Sequence, residues 1–283
     1  KFPLSTTTPP KVVPCPPINL VAECTTISTP CSNTFIKYGV PKVLSNINGI
    51  FASCAISAIF SISDNESNKI LTGELFEING DEFKIASLDL VRVSIRKVHL
   101  KESYDHIKVV IPGKTLNEIS KILNGGTDDM ITISFSKNHV LFEFNDTLVI
   151  SRLIEGNFYN IDQMLKNNYE TKVKINKKDF YGCIDRATLL LREAEKKPVI
   201  LNIHDGEMKM EMNTKIGSMD EEVMIEKEGK DLTIAFNPKY IIDVLKVIED
   251  EDVYLYLFNA NAPCFIKNNE ESYIYLILPV NMN

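Results

Sequence analysis

The sequence predicts an α+β protein in which one kind of domain, two helices packed on antiparallel sheets, occurs twice in tandem. Three observations carry this reading. A segment recurs about 125 positions along the chain: Val109-Val110-Ile111-Pro112-Gly113-Lys114-Thr115-Leu116 is answered by Ile234-Ala235-Phe236-Asn237-Pro238-Lys239-Tyr240-Ile241. Each copy runs from a short apolar strand through a proline near a helix start, and each helix stops before an acidic turn. Around this anchor, Leu75 to Ile78, the Asn79-Gly80 turn and Phe83 to Ile85 match Ile200 to Ile203, Asp205-Gly206 and Met208 to Met210. The interval is too long for a solenoid repeat, and 283 residues with 44% apolar content hold about two domains with a core each.

In chain order, residues 1–45 stand apart. They carry Pro3, Pro9, Pro10, Pro14, Pro16, Pro17, Pro30 and Pro41, many Ser and Thr, few charges and no sustained period, so they are expected to be irregular. From Ile50 to Ser63 the apolar residues Phe51, Cys54, Ala55, Ala58 and Ile59 recur at helical spacing. Strands follow at Leu75–Ile78, Phe83–Ser87, Val91–Val98 and Ile107–Ile111, then a helix over Thr115–Leu123 with an Asn124-Gly125-Gly126 stop. Strands at Ile131–Phe135, Val140–Phe144 and Leu148–Leu153 complete the first domain, 46–166. The second, 167–283, repeats the order: strand Lys172–Ile175, helix Lys178–Glu193, strands near Val199, Met208, Val223 and Leu232, helix Pro238–Ile248, and strands near Val253, Phe265 and Ile274.

Composition narrows the function classes. A net charge of -7 argues against a uniformly basic nucleic-acid binder, although it does not say how lysines are shared between faces. No apolar run is long enough to span a bilayer and no cleavable leader is visible, which places the protein in the cytoplasm without a membrane partner. The six cysteines, Cys15, Cys24, Cys31, Cys54, Cys183 and Cys264, show neither zinc nor redox spacing and read as buried free thiols. His99, His106, His139 and His204 form no ligand pair, so no metal or cofactor is expected.

The helices carry a basic signal. Lys114, Asn117 and Lys121 line the face opposite Leu116, Ile119, Ile122 and Leu123; the equivalent helix offers Lys239, Asp243 and Lys246; the helix before it offers Lys177, Lys178, Arg186 and Arg192. An ordinary solvated helix face shows the same stripe. If these helices instead line one channel, they make a sequence-independent, salt-sensitive surface for a phosphate backbone.

Six segments in register then carry a resemblance: Ile70 to Glu77, Ser87 to Val93, Val110 to Lys114, Leu153 to Phe158, Ala235 to Tyr240 and Tyr275 to Val280. Over roughly residues 50–283 the chain resembles the bacterial sliding clamp, the beta subunit of DNA polymerase III. The resemblance implies tandem DNA-clamp domains, a head-to-tail homodimer of three such domains per chain, inner helices around duplex DNA and no active site. The present chain matches the second and third domains. Residues 1–45 do not resemble the first, so either that domain is incompletely represented or the chain as it stands does not close a ring.

The resemblance also implies a hydrophobic pocket that takes peptide motifs of the DNA polymerase III alpha subunit, the clamp loader and repair proteins. It falls on Leu71, Leu88, Leu90, Val91, Arg92, Val93, Tyr159, Met164, Asn237, Tyr240, Pro263, Leu276, Ile277, Leu278, Pro279 and Val280. Aliphatic walls would accept a leucine or phenylalanine anchor, while Arg92, Asn237 and tyrosine hydroxyls would bind the peptide backbone. Leu88-Asp89-Leu90-Val91-Arg92-Val93 departs from the family's Thr-Asp-Gly pattern, and Phe158-Tyr159-Asn160-Ile161 from Phe-Pro-Asp-Tyr. The expectation is a greasier pocket; alternatively Leu88, Leu90 and Val91 pack into the sheet. The acidic runs Asp128-Asp129, Glu221-Glu222 and Glu249 to Asp252 lack the oxygen spacing of a calcium loop, and no phosphate loop, nucleophile elbow or Cys-His pair is visible. A processivity clamp therefore stands against two alternatives, an enzyme and a scaffold that never encircles DNA.

Overall fold

The computed structural model describes residues 42–47, 58–63, 65–123, 131–144, 147–165, 168–191 and 197–281. They form two compact units: one takes the described residues up to Ile59 with Asp64–Phe83 and His99–Phe158, the other Phe60–Ser63, Lys84–Val98 and Tyr159–Asn283. The irregular reading of residues 1–41, most of the Ile50–Ser63 helix, the Asn124-Gly125-Gly126 stop and Asp128-Asp129 lie outside the described residues.

In the first unit, β1 (Lys42–Ile47), β4 (Ile131–Phe135), β5 (His139–Phe144) and β6 (Thr147–Arg152) make an antiparallel sheet in the order β1-β4-β5-β6. Here one expectation is corrected: Lys42 to Ser45, read as irregular, open β1, which pairs with β4 from Lys42↔Phe135 to Ile47↔Ile131. Ladder bonds to β4 satisfy the backbone whether or not the local sequence alternates.

Two long extended segments follow the short 3₁₀ turn Lys69–Thr72: β2 (Gly73–Leu88) and β3 (Arg92–Pro112). The Phe76 and Phe83 rings lie 5.3 Å apart edge to face, whereas an unbroken strand would separate those residues by about 23 Å. The chain therefore folds back within β2, at Asn79-Gly80, where Gly80 has a φ of 64°. The second unit repeats the device: β8 (Val199–Ile203) and β9 (Glu207–Asn213) are joined through Gly206 at a φ of 83°.

Helix α1 (Gly113–Ile122) begins two residues before the expected Thr115, directly behind Pro112, and buries Leu116 and Ile119. Thr115, also buried, is satisfied by the Ser151 hydroxyl at 2.8 Å. A single turn, α2 (Ile161–Met164), is capped by the Asn160 side chain and was not anticipated.

In the second unit, β7 (Thr171–Asn176) alternates buried and half-buried residues, as a strand with one face on a core should. Asn176 then caps α3 (Lys177–Leu189), accepting from the Lys178 and Asp179 amides, and Phe180, Cys183, Ile184 and Ala187 make its buried stripe. Asn237 caps α4 (Pro238–Val247), whose first residue is the helix-compatible proline. β10 (Ser218–Gly229) serves two ladders, pairing β9 through Ser218–Met224 and β7 through Ile225–Gly229. β11 (Leu232–Phe236) pairs β8, and β7 continues through β12 (Asp252–Leu257), β13 (Cys264–Lys267) and β14 (Tyr273–Ile277) to the Arg92–Arg96 part of β3. Against these sheets α3 and α4 pack over one apolar core that includes Phe180, Phe236, Leu245, Tyr273 and Tyr275.

Candidate partner-binding notch and basic helix faces

In the second unit three stretches of chain converge on Arg92. The turn after β2 is set by Asp89, whose Oδ1 accepts the Val91 and Arg92 amides at 2.8 and 2.9 Å. Arg92 then donates from Nε to Asp89 Oδ2 and from Nη1 to Asp243 Oδ2 on α4, each at 2.8 Å. Its guanidinium lies 4.4 Å from the Tyr240 ring centroid and 5.7 Å from that of Phe60. Burial opposes the Arg92 cation, but the hydrogen bonds to Asp89 and Asp243 outweigh it and hold the charge. Burial also raises the Tyr275 phenol, which stays neutral and donates to the Tyr240 carbonyl at 3.1 Å.

Strand β14 lies beside this clamp. Ile277 stands opposite Arg92 and Leu276 opposite Val93; beyond the strand the Leu278 amide donates to Val91 O at 2.9 Å and the Val280 amide to Ala235 O at 2.8 Å. Leu90 (77% exposed), Leu278 (38%) and Val280 (37%) thus present apolar side chains to solvent from backbone that is tied at several points. Leu88, Val93, Leu276 and Ile277, in the same stretches of chain, are buried. Exposed aliphatic groups on rigid backbone form a surface that gains from being covered.

The structure thereby brings Val91, Arg92, Val93, Tyr240, Leu276, Ile277, Leu278 and Val280 together, with half-buried Pro279 inside the same terminal segment. Tyr159 is exposed, Met164 and Pro263 are half-buried, and Leu71 is buried in the 3₁₀ turn of the first unit. Two expected roles change. The Arg92 donors that face Asp89 and Asp243 are committed, and the Asn237 side chain accepts from the Lys239 amide at 3.0 Å, so both hold the wall in shape. Sequence reasoning missed Asp89, Asp243 and Phe60 as partners of Arg92. An aspartate opening a turn three residues before an arginine was a usable signal for the first; nothing local pointed to the other two.

The basic faces survive in part. Lys114 and Lys121 on α1 are exposed but pair with Glu66 at 3.3 Å and Glu118 at 2.8 Å. Lys177 is turned to structural use, donating to the Ile248 carbonyl at the end of α4 at 2.6 Å. Arg186 binds Glu221 through Nε at 2.6 Å and again through Nη2, which neutralises it. Lys178, Lys239 and Lys246 are exposed and carry no ion pair among the described residues; Arg192 lies outside them. Because Lys177 reaches Ile248, the start of α3 meets the end of α4, and Lys178 and Lys246 share one end of this antiparallel helix pair with the acidic run from Glu249.

No cluster of His, Cys, Asp and Glu among the described residues is placed to hold a metal, and no described helix is long and apolar enough to cross a membrane. Cys183 and Cys264 are buried free thiols; burial, then Glu221, pushes the first up to about 11, which makes it a poor nucleophile at neutral pH. The other four cysteines lie outside the described residues.

A tandem of α+β domains built on strand–helix–sheet repeats, with an apolar notch, is the clamp class of fold. Models of the DNA polymerase III beta subunit match in succession, the central domain over residues 50–160 and the C-terminal domain over 162–281, and the chain belongs to this beta sliding clamp family. It is 36% identical over 226 residues to the beta sliding clamp of Staphylococcus epidermidis and 35% over 224 to that of Staphylococcus aureus, covering 78% of this chain and 59% of each relative. Among solved structures, a DNA polymerase III beta subunit from Eubacterium rectale superposes with a TM-score of 0.82 at 52% identity, over 87% of this chain and 66% of that one. The Bacillus subtilis DNA polymerase sliding clamp gives 0.80 at 31%, over 86% and 65%. The chain thus spans about three fifths of the curated relatives' length.

Proposed function

We propose that the chain is the working part of a DNA polymerase processivity factor: it encircles duplex DNA as part of a homodimeric ring and tethers partner proteins through the notch, without catalysis of its own. In this reading residues 46–166 and 167–283 are the family's second and third domains and act in the cytoplasm with the DNA polymerase III alpha subunit and the clamp loader. The observation that carries the proposal is the notch, where Leu90, Leu278 and Val280 stand exposed on backbone fixed by the Arg92 clamp. The pocket residues of the second unit are assigned to it, with Arg92 and Asn237 as positioning residues. Lys114, Lys121, Lys178, Lys239 and Lys246 supply the basic groups toward DNA, with Lys177 and Arg186 already engaged.

A scaffold that does not touch DNA is favoured by one observation, the net charge of -7. Loading onto a nicked circular duplex by the clamp loader separates the two. A clamp remains on the circle and is lost when the circle is cut; retention on neither form, with intact binding of polymerase peptides, supports the scaffold. Replacing Leu276 and Leu278 by Ala should weaken a leucine- and phenylalanine-anchored peptide by about 2 kcal/mol or more each. Unchanged affinity in a folded variant removes the notch from the proposal.

A further inference from the structure

The notch continues into a second feature of the same sheet face. On β14, Ile274 precedes Leu276 by two residues and shares its side of the strand, while Tyr273, Tyr275 and Ile277 point into the core. On β13, Phe265 stands opposite Leu276. Ile274 and Phe265, with Leu165, line an open basin of about 200 Å³, walled by Tyr169 and Tyr256. A void of that order admits one aromatic side chain, since a cavity of about 150 Å³ binds benzene.

The rim of the basin is cationic. Lys97 carries no ion pair among the described residues, and its backbone N–H, donating to the Ser272 carbonyl at 2.8 Å, fixes it beside the β13–β14 turn. Lys267 lies 4.7 Å from the Tyr256 ring centroid and 3.0 Å from Glu271. Lys172 adds a third positive charge 5.8 Å from Tyr256. Glu271 at the rim and Glu228 opposite Lys172 oppose these three lysines, which leaves one positive charge in excess to favour an anionic guest.

We propose that this basin is a second docking subsite, taken by an acidic segment of a partner peptide that flanks the segment in the notch, with one aromatic or aliphatic side chain in the basin and a carboxylate on Lys97. This rests on the notch being a peptide site. Single-stranded nucleic acid fits less well. Tyr256 is covered by Lys267 and Lys172, which compete for the ring face that a base would stack on, and Glu271 repels phosphate.

Fluorescence anisotropy with three synthetic peptides tests the proposal: a short leucine- and phenylalanine-anchored peptide, the same peptide extended at either end by alternating Asp and Phe, and the extension alone. One extended form should bind about fivefold tighter than the short one, the scale of a partly exposed ion pair. Lys97→Glu and Tyr169→Ala should abolish that advantage while leaving the short peptide unchanged. An extension carrying Lys in place of Asp should recover it on Lys97→Glu. Equal binding of short and extended peptides overturns the basin and leaves the notch standing. If the short peptide fails while the extension alone binds in a Lys97-dependent way, the notch falls and the basin holds; failure of both removes both. Displacement of the extension by a labelled oligonucleotide at the same lysine reassigns the basin to nucleic acid and overturns the proposal.

Discussion

Helices α1 and α4 sit at matching positions of the two copies, 125 residues apart from first to last, and the same interval relates their closing bonds, Leu123 N–H to Ile119 O at 3.0 Å and Ile248 N–H to Val244 O at 3.2 Å. Their inner faces agree as well, Leu116 and Ile119 corresponding to buried Ile241 and Val244. Their surfaces diverge. Glu118 pairs with Lys121 of its own helix, whereas Asp243, at the equivalent place, reaches across to Arg92. The starts diverge too: Pro112 offers no side-chain cap, while Asn237 accepts the Lys239 amide. Packing has constrained what faces the sheet, and the outward acidic position has been free to become a tether in one copy only.

Truncating the shared inner face should give the largest effect. Leu116→Ala and Ile241→Ala should each lose about 2–5 kcal/mol in denaturant unfolding; a loss under about 1 kcal/mol in one copy alone would break the equivalence of the two cores. Next comes the tether. Arg92→Ala leaves Asp89 and Asp243 without their cation and should cost about 2 kcal/mol together with peptide affinity, whereas Lys121→Ala on α1 should be nearly silent. A cost for Arg92→Ala as small as that for Lys121→Ala would show that the Arg92 contacts hold nothing in place. A smaller effect is expected from Asn237→Ala, about 1 kcal/mol, read as a lower Tm; the uncapped start at Pro112 has no counterpart to lose.

The smallest effect concerns Glu221 beneath α3. Its hydrogen bond from Arg186 lowers the carboxylate below its ordinary range. A depressed folded value adds stability above the unfolded value and loses it as pH falls through the folded one. Glu221→Gln should therefore be less stable than the parent at neutral pH, by well under 1 kcal/mol because the pair is partly exposed, and the gap should close in acid. A gap that is constant with pH would deny the charge any part.

What could be read from the chain was what repeats. Val109 to Leu123 and Ile234 to Ile248 place both helices to within two residues, because apolar spacing and proline act locally. The Asn79-Gly80 reversal was equally legible, since glycine there adopts a φ that other residues avoid. The pairing of Lys42–Ile47 with β4 was not, because its partner lies almost ninety residues away. The same holds in the notch: Leu276 to Val280 could be named from a resemblance, but that Asp243 turns from a helix stripe toward Arg92, 151 positions distant, depends on tertiary placement. Lys177 and Arg186 looked like channel cations for the same reason; their carbonyl and carboxylate partners come from other elements.

Strand β10 belongs to two ladders, with β9 along its first half and β7 along its second. The two ladders meet at Met224 and Ile225, so the centre of the strand is held from both sides of the junction. Amide protons at its centre, Val223 to Ile225, should therefore exchange with solvent only when the whole second unit opens, making this strand the slowest-exchanging clock of the chain.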